Sequence, residues 1–200
     1  AHEPAFLREP DPADVDGLVA AARGTLRQVT IAPELPGGLD AIERLVGAGV
    51  RAAVGHTEAS AELAREAFDR GATILTHAFN AMPGIHHRAP GPVVAAMEDP
   101  RVTLELVLDG LHVVPPVARI AFAGAPGRVA LVTDAMAAAA AADGDWQIGP
   151  LAVTVRDGLA TLRGTDTIAG STLTQDRALR IEYADARFFL PGRGGGQSTP

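Results

Sequence analysis

Ile74-Leu75-Thr76-His77-Ala78-Phe79-Asn80-Ala81-Met82-Pro83-Gly84-Ile85-His86-His87-Arg88 is the stretch that decides the fold. It begins as an apolar strand, places a histidine at the end of that strand, and continues as a polar loop with two more histidines and an arginine. A hydrophobic core seldom holds so many imidazole and guanidinium groups. The stretch therefore predicts a metal or phosphate site at the end of a strand.

The segments around this stretch repeat one plan, in which a short apolar strand is followed by an amphipathic helix. The predicted strands are residues 27–32, 50–55, 72–76, 102–108 and 129–133. The strands are followed by polar residues, namely Glu34, His56, His77, His112 and Asp134. A spacing of about 21 residues between most of these ends is typical of one βα unit of a compact parallel barrel.

We therefore expect an α/β fold, a partial (β/α)8 TIM barrel of about five βα units with a β-hairpin insertion. The barrel is expected to occupy residues 1–186, with the hairpin at about 147–163 because Asp157-Gly158 separates two alternating segments. The alanine-rich residues 137–145 are expected to form a loop or a short lid helix. Residues 187–200 are expected to be a disordered tail.

The composition excludes several functional classes. The formal charge of −7 and the lack of Lys/Arg runs argue against a nucleic-acid partner. No apolar run reaches the roughly 18 residues of a membrane span, so no membrane partner is expected. The chain has no cysteine, which excludes thiolate ligands and favours a reducing, cytoplasmic location. Because the chain starts at Ala1 without methionine, we expect a processed form or a piece of a longer protein.

His56 and His77 are the best metal candidates. They lie one βα unit apart, so they should project from neighbouring strands about 5 Å apart, where two imidazoles can meet one ion. With no cysteine, the other ligands must be carboxylate or water, which suits Zn²⁺ or Fe²⁺. The alternative is that both rings pack as neutral histidines against helix ends. Asp134 could transfer a proton between water and a leaving amine, or could simply cap the next helix.

Three further polar residues are expected on the same face. Arg88 suits a phosphate group, and Asn80 suits sugar hydroxyls or an amide, with His112 beside them. His86 and His87 are expected to be loop residues with no fixed role. No G-x-x-x-x-G-K-[ST] phosphate loop occurs.

Several motifs, in this order, resemble one known family. They are Thr30-Ile31-Ala32-Pro33-Glu34, Gly55-His56-Thr57, Thr76-His77-Ala78-Phe79-Asn80-Ala81-Met82, His87-Arg88-Ala89-Pro90-Gly91, Asp109-Gly110-Leu111-His112, Leu131-Val132-Thr133-Asp134-Ala135 and Ala169-Gly170-Ser171-Thr172-Leu173-Thr174. Together they resemble N-acetylglucosamine-6-phosphate deacetylase of the amidohydrolase superfamily. The resemblance extends over about residues 1–181, and residues 188–200 match nothing in that family.

The resemblance implies hydrolysis of N-acetylglucosamine 6-phosphate to glucosamine 6-phosphate and acetate, a step of amino-sugar catabolism. It implies one divalent metal ion held by His56 and His77, with Asp134 as the acid/base. The residues that it assigns to substrate binding are His2, Asn80, Ala81, Arg88, His112, Ile168, Ala169 and Gly170. Arg88 would bind the phosphate, in this family often across the interface of a homodimer.

The resemblance also marks what the chain lacks. The family's third protein ligand is a Glu in an E-G-P segment upstream of His2, and Glu34 is not that ligand. Five strands cannot close an eight-stranded barrel, so we expect the chain by itself to be unstable or inactive. Two alternatives stay open: another amidohydrolase, acting on a cyclic amide or a different acylated amine, and a non-catalytic half-barrel.

Overall fold

The computed structural model describes residues 3–184 of the 200-residue chain. Strands and helices alternate as the sequence predicts. After a short 3-10 helix (Pro4–Phe6) come α1 (Pro12–Ala22), β1 (Gln28–Ile31), α2 (Gly38–Gly47), β2 (Arg51–Val54), α3 (Ala61–Asp69), β3 (Ile74–Leu75), α4 (Gly91–Glu98), β4 (Thr103–Leu106), α5 (Pro115–Gly124) and β5 (Val129–Leu131). They are followed by β6 (Gly144–Ile148), β7 (Leu151–Arg156), β8 (Leu159–Leu162) and α6 (Gln175–Ala184).

Strands β1 to β5 form one parallel sheet in chain order. This order follows when every strand is joined to the next by a helix that crosses over in the same sense. One face of the sheet packs against the helices, where Val54, Leu75 and Leu104 share a core with Phe68 of α3. All four side chains are at most 1% exposed. The parallel α/β fold predicted from the sequence is confirmed.

The opposite face of the sheet carries polar contacts between strands that are not neighbours. Thr30 of β1 and Thr76, just after β3, share a hydrogen bond of 2.9 Å between their hydroxyls. The Gln28 side chain of β1 donates to Glu105 of β4 at 3.0 Å. In a flat sheet, strands two apart lie about 9–10 Å from each other, too far for two threonine side chains to meet. The sheet therefore curls, with this polar face on its concave side.

Local signals explain where the helices begin. The Asp11 carboxylate accepts the Ala13 amide at 2.7 Å, in the first turn of α1. The Ser60 hydroxyl accepts the Leu63 amide at 3.3 Å at the start of α3, so the cap predicted from the sequence is confirmed. No helix among residues 3–184 is long and apolar enough to cross a membrane.

Two elements differ from the sequence prediction. β3 covers only two of the five residues predicted for it, and the backbone turns at His77, where φ is 32°. Gly144 and Asp145, predicted as loop or lid helix, instead begin β6, which pairs with β7 and makes the hairpin a three-stranded antiparallel sheet. β6 is stabilised because Trp146 and Ile148 pack into the core of this small sheet. The predicted tail, residues 187–200, lies outside the described residues.

Candidate active site

The two predicted metal ligands meet at the carboxyl ends of β2 and β3. The Nε2 atoms of His56 and His77 are 2.8 Å apart, and their rings are nearly perpendicular at 81°. Two imidazole lone pairs at this separation repel each other. Either one nitrogen carries the proton and donates, or both nitrogens face a cation. His77 is 6% exposed and lies at the floor of the site, whereas His56 is exposed.

A cleft of about 900 Å³ opens above the two rings. Its lining includes Asp134 beyond β5, Glu34 beyond β1 and Ala81 from the loop after β3. A second cavity of about 510 Å³ shares His56 and Asp134 with the first, and is also lined by Gly170 and by Gln147 of β6. The strand ends therefore bring the predicted ligands and the predicted acid/base to one opening, as expected for a parallel sheet.

His56, His77 and Asp134 share an uncommon backbone conformation. Their φ angles are 48°, 32° and 49°, in the left-handed region that side chains with a Cβ seldom adopt. Each such residue costs on the order of 1–3 kcal/mol unless its surroundings hold it. Each of the three directly follows a strand or lies within three residues of its end. The turn at each position redirects the side chain from the sheet toward the cleft.

Glu34 and Thr57 hold the turn at His56. The Thr57 hydroxyl and the Glu58 amide both donate to the Glu34 carboxylate, the latter at 2.7 Å. The Thr57 amide donates to the carbonyl of Ala81 at 3.0 Å. Thr57 is 2% exposed, so the contacts of its own hydroxyl and amide are shielded more than the bond between Glu58 and Glu34, which is exposed. The residue after His56 is thereby tied to the ends of both neighbouring strands.

Ser171 holds the backbone turn at Asp134. Its amide donates to the Asp134 carbonyl at 2.8 Å, and its hydroxyl donates to the Thr133 carbonyl. Gly170 lies so close that a Cβ there would be 3.2 Å from the Asp134 carbonyl oxygen and 3.1 Å from Met136. The segment after the small sheet thus braces the predicted acid/base, and a larger residue at position 170 would displace it.

The loop after His77 is braced by Asn80. The Asn80 amide donates to the His77 carbonyl at 3.0 Å, and its side-chain NH₂ reaches the carbonyls of His77 and Ala78 at 3.3 and 3.2 Å. These bonds stabilise a run in which Phe79 and Ala81 also have positive φ. Asn80 thus has a structural role beside the substrate contact that the resemblance implies.

The two histidines supply part of the donor set that a divalent ion needs. Two convergent Nε2 atoms match two positions of a tetrahedral or octahedral ion. The Nδ1 atom of His77 is buried without a hydrogen-bond partner in the described structure. Among residues 3–184, no group of three or more His, Asp or Glu side chains could hold a metal. The residues therefore fit a metal ion as two of its ligands.

Four other predicted site residues, Arg88, His112, Ile168 and Ala169, line neither of these two cavities. Arg88 is exposed and bonds to the neighbouring His87 ring at 2.7 Å, so His87 has a partner where none was expected. His112 lines neither cavity and is paired with Asp109. Ile168 bridges to β8, while Ala169 is fully buried in the core of the small sheet. His2 lies outside the described residues.

Sequence reasoning missed the residues that brace the site, Glu34, Thr57, Asp109 and Ser171. Each lies within one of the motifs that carry the resemblance, but none of the four is predicted as a site residue. A usable signal existed for Asp109, since Asp and His at i and i+3 across a glycine can form a local pair. For Ser171 the partner is 38 residues away. No local pattern could reveal that contact.

Comparison with known proteins places the site in context. No family model matches this chain. An N-acetylgalactosamine-6-phosphate deacetylase of Escherichia coli O157:H7 is 42% identical over 180 residues, which cover 90% of this chain and 48% of the relative. An N-acetylglucosamine-6-phosphate deacetylase of Vibrio furnissii is 34% identical, with 90% and 45% covered. The chain spans about half the length of the curated relatives that it matches.

A solved structure agrees with these relatives. It is a mutant N-acetyl-D-glucosamine-6-phosphate deacetylase from Mycobacterium smegmatis in complex with N-acetyl-D-glucosamine-6-phosphate. It is 50% identical and superposes with a TM-score of 0.90 over 95% of this chain and 50% of its own. The resemblance that the motifs indicated is therefore confirmed, and this chain is a relative of the N-acetylglucosamine-6-phosphate deacetylases over a span of about half their length.

Proposed function

We propose that the protein carrying this chain hydrolyses the acetamide of N-acetylglucosamine 6-phosphate, giving glucosamine 6-phosphate and acetate. The observation that carries the proposal is the convergence of the His56 and His77 Nε2 atoms at 2.8 Å, in a cleft that Asp134 also lines. The 50% identity to a deacetylase crystallised with this sugar phosphate supports the substrate class. Such an enzyme would act on a cytoplasmic metabolite, and the absence of cysteine supports that location.

His56 and His77 would hold one divalent ion, with Zn²⁺ or Fe²⁺ favoured by imidazole and oxygen ligands. When bound, such an ion polarises the amide carbonyl and makes water a stronger acid. Asp134 then accepts the proton of the attacking water as the new carbon–oxygen bond forms. It gives that proton to the amine nitrogen as the carbon–nitrogen bond breaks, so the amine leaves neutral and the acyl group leaves as acetic acid, which releases its remaining proton to solvent and becomes acetate.

The remaining predicted contacts would bind the sugar phosphate. Arg88 is the proposed phosphate ligand, and its exposed position supports a site shared with a second copy in a homodimer. Asn80, Ala81, His112 and the segment 168–170 are proposed to surround the sugar, with His2 beside the carbonyl. The curl of the sheet, shown by the Thr30–Thr76 bond, supports a partial (β/α)8 barrel over residues 1–186.

A second substrate has a specific observation in its favour. The Escherichia coli relative at 42% identity is an N-acetylgalactosamine-6-phosphate deacetylase. The two substrates differ only in the configuration of one ring hydroxyl. Comparing kcat/KM for both sugar phosphates decides between them, and the galactosamine derivative becomes the substrate if its kcat/KM is the higher one.

The test measures acetate release and bound metal in parallel. His77→Asn should remove metal and lower kcat/KM by at least about 10³-fold, while Asp134→Asn should retain metal and lose a similar factor in kcat. His86→Asn is the matched control, since it removes an exposed histidine of the same loop. Unchanged metal content and activity in His77→Asn would sink the proposal. A protein that binds no metal and releases no acetate would favour the non-catalytic half-barrel.

A further inference from the structure

Asp109 is the only carboxylate that the structure describes as buried, and the mechanism above does not use it. It follows β4 by three residues, at the same edge of the sheet as His56, His77 and Asp134. Its side chain is 5% exposed, and that of its partner His112 is 6% exposed. A charged group this shielded needs a specific set of donors to be stable.

The two oxygens of the Asp109 carboxylate make different contacts. Oδ1 accepts the amides of Leu111 and His112, at 2.8 and 2.7 Å, and so forms the turn after β4. Oδ2 faces the His112 ring and lies 2.7 Å from Nδ1. The first oxygen alone would suffice to shape the turn. The second oxygen is directed at the ring, which is a contact the backbone does not need.

The contact decides which ring nitrogen carries the proton. A carboxylate has no proton to give, so Nδ1 must donate to Oδ2. In the neutral ring the other nitrogen, Nε2, is then unprotonated and can only accept a hydrogen bond. Burial by itself would raise the pKa of Asp109, but the bonds from His112 and Leu111 outweigh it and keep that pKa below its usual value. The carboxylate therefore stays charged at neutral pH and maintains the tautomer.

We propose that Asp109 is a positioning residue for His112: it holds the Nδ1–H tautomer, so that Nε2 accepts a hydrogen bond from a hydroxyl of the bound sugar. The identity of the ligand rests on the proposed function. While the His112 ring is neutral, a hydroxyl can donate to Nε2, whereas an unprotonated phosphate oxygen or a carbonyl oxygen cannot. In that state the pair selects the sugar ring, and Arg88 is left to select the phosphate.

The tautomer is read by nitrogen NMR on protein labelled with ¹⁵N-histidine. In the neutral ring of His112, Nδ1 should be protonated and Nε2 should not. Asp109→Asn should lose this preference, because the asparagine NH₂ can donate to an unprotonated Nδ1. Asp143→Asn is the matched control, since Asp143 also accepts two backbone amides, from Asp157 and Gly158, but faces no ring. It should leave the His112 signals unchanged.

Kinetics test whether Asp109 acts through His112. Asp109→Asn and His112→Gln should each raise KM for the sugar phosphate about tenfold and change kcat less. The double variant should lose little more than either single variant, because both changes remove one interaction. Independent losses that multiply would show that Asp109 has only a structural role, and would overturn the proposal.

The tautomer of His112 and the binding of the sugar phosphate are measured separately, so the role of Asp109 and the proposed function can each fail without the other. An Nε2–H tautomer in the wild-type protein overturns the role of Asp109 whatever the activity, and needs no variant to fold. An Nδ1–H tautomer in a protein that binds neither sugar phosphate overturns the proposed function, and the ligand named here with it. An Nδ1–H tautomer together with a KM effect that vanishes in the His112→Gln background supports both.

Discussion

Glu34 lines the cleft, and both of its carboxylate oxygens accept hydrogen bonds from the loop after β2. The Thr57 hydroxyl and the Glu58 amide donate to them. Glu34→Gln keeps the size of the side chain but replaces two charge-assisted acceptors by one neutral acceptor and one donor. We expect the free energy of unfolding to fall by about 1–3 kcal/mol, measured by urea denaturation, and the affinity for Zn²⁺ to fall because the turn at His56 loosens.

Glu58→Gln is the control for that change. It removes the same charge one residue after Thr57 and leaves the Glu58 amide in place. Stability and zinc affinity should both stay close to the wild-type values. Equal effects of the two substitutions would mean that charge near His56, rather than the clamp, governs the site.

The contribution of Asp109 to the free energy of unfolding depends on pH. Its folded-state pKa is below its ordinary value, as burial, which raises the pKa, is outweighed by bonds from His112 and Leu111. The stability that it contributes is therefore fully present above the unfolded pKa of about 3.9 and is lost as pH falls through the lower folded pKa. The difference in urea midpoint between wild type and Asp109→Asn should shrink as the pH falls from about 5 toward 3. A difference that grows on acidification would contradict this sign.

At the level of secondary-structure elements, Gly55 lies between β2 and His56. Because it has no side chain, Thr30 of β1 and Thr76 after β3 can contact each other across this position. A Cβ at position 55 would lie 2.8 Å from the Thr76 Cβ and 2.9 Å from the Thr30 Cγ2. Gly55→Ala should therefore lower the free energy of unfolding by about 1–3 kcal/mol and flatten the local curl of the sheet. Thermal and urea denaturation measure the loss.

Gly17→Ala is the opposite case and serves as the control. Gly17 lies within α1, and nothing is within 4 Å of its added Cβ. Because alanine favours the helix more than glycine does, stability should rise by about 0.5–1 kcal/mol. A loss of stability in both variants would show that glycine substitution in general, and not the Thr30–Thr76 contact, is responsible.

The elements also show how far sequence reasoning extends. The alternation of apolar strands and periodic helices gave the correct element order, because each pattern is local. It also placed His56, His77 and Asp134 at one edge, since parallel strands end together. It missed β6, where two exposed positions alternate with Trp146 and Ile148 and the pattern is weak. It missed the positive φ of His56, His77 and Asp134. At His56 and Asp134 this conformation is held by hydrogen bonds between residues far apart in the sequence, which no local pattern reveals.

At the scale of the whole molecule, the five-stranded sheet has two open edges. Within residues 3–184 the outer sides of β1 and β5 pair with no strand. The carbonyls of Arg27 and Ile31 accept amides of the β2 side, from Arg51 and Gly55. Because alternate residues of a strand bond to opposite sides, the amide of Gln28 must face the open edge of β1. An open edge of this kind is a template for pairing with another strand.

We expect the isolated 200-residue chain to associate with increasing concentration, as sedimentation velocity would show. Gln28→Pro removes the outward amide without breaking a bond to β2, and proline is tolerated on edge strands, so association should weaken at least several-fold. Gln28→Ala is the control, since it loses the Glu105 contact but keeps the amide. If both variants associate like the wild type, the β1 edge is not the contact. Association that Gln28→Pro alone suppresses would support the proposal that this edge pairs with a further strand in a closed barrel.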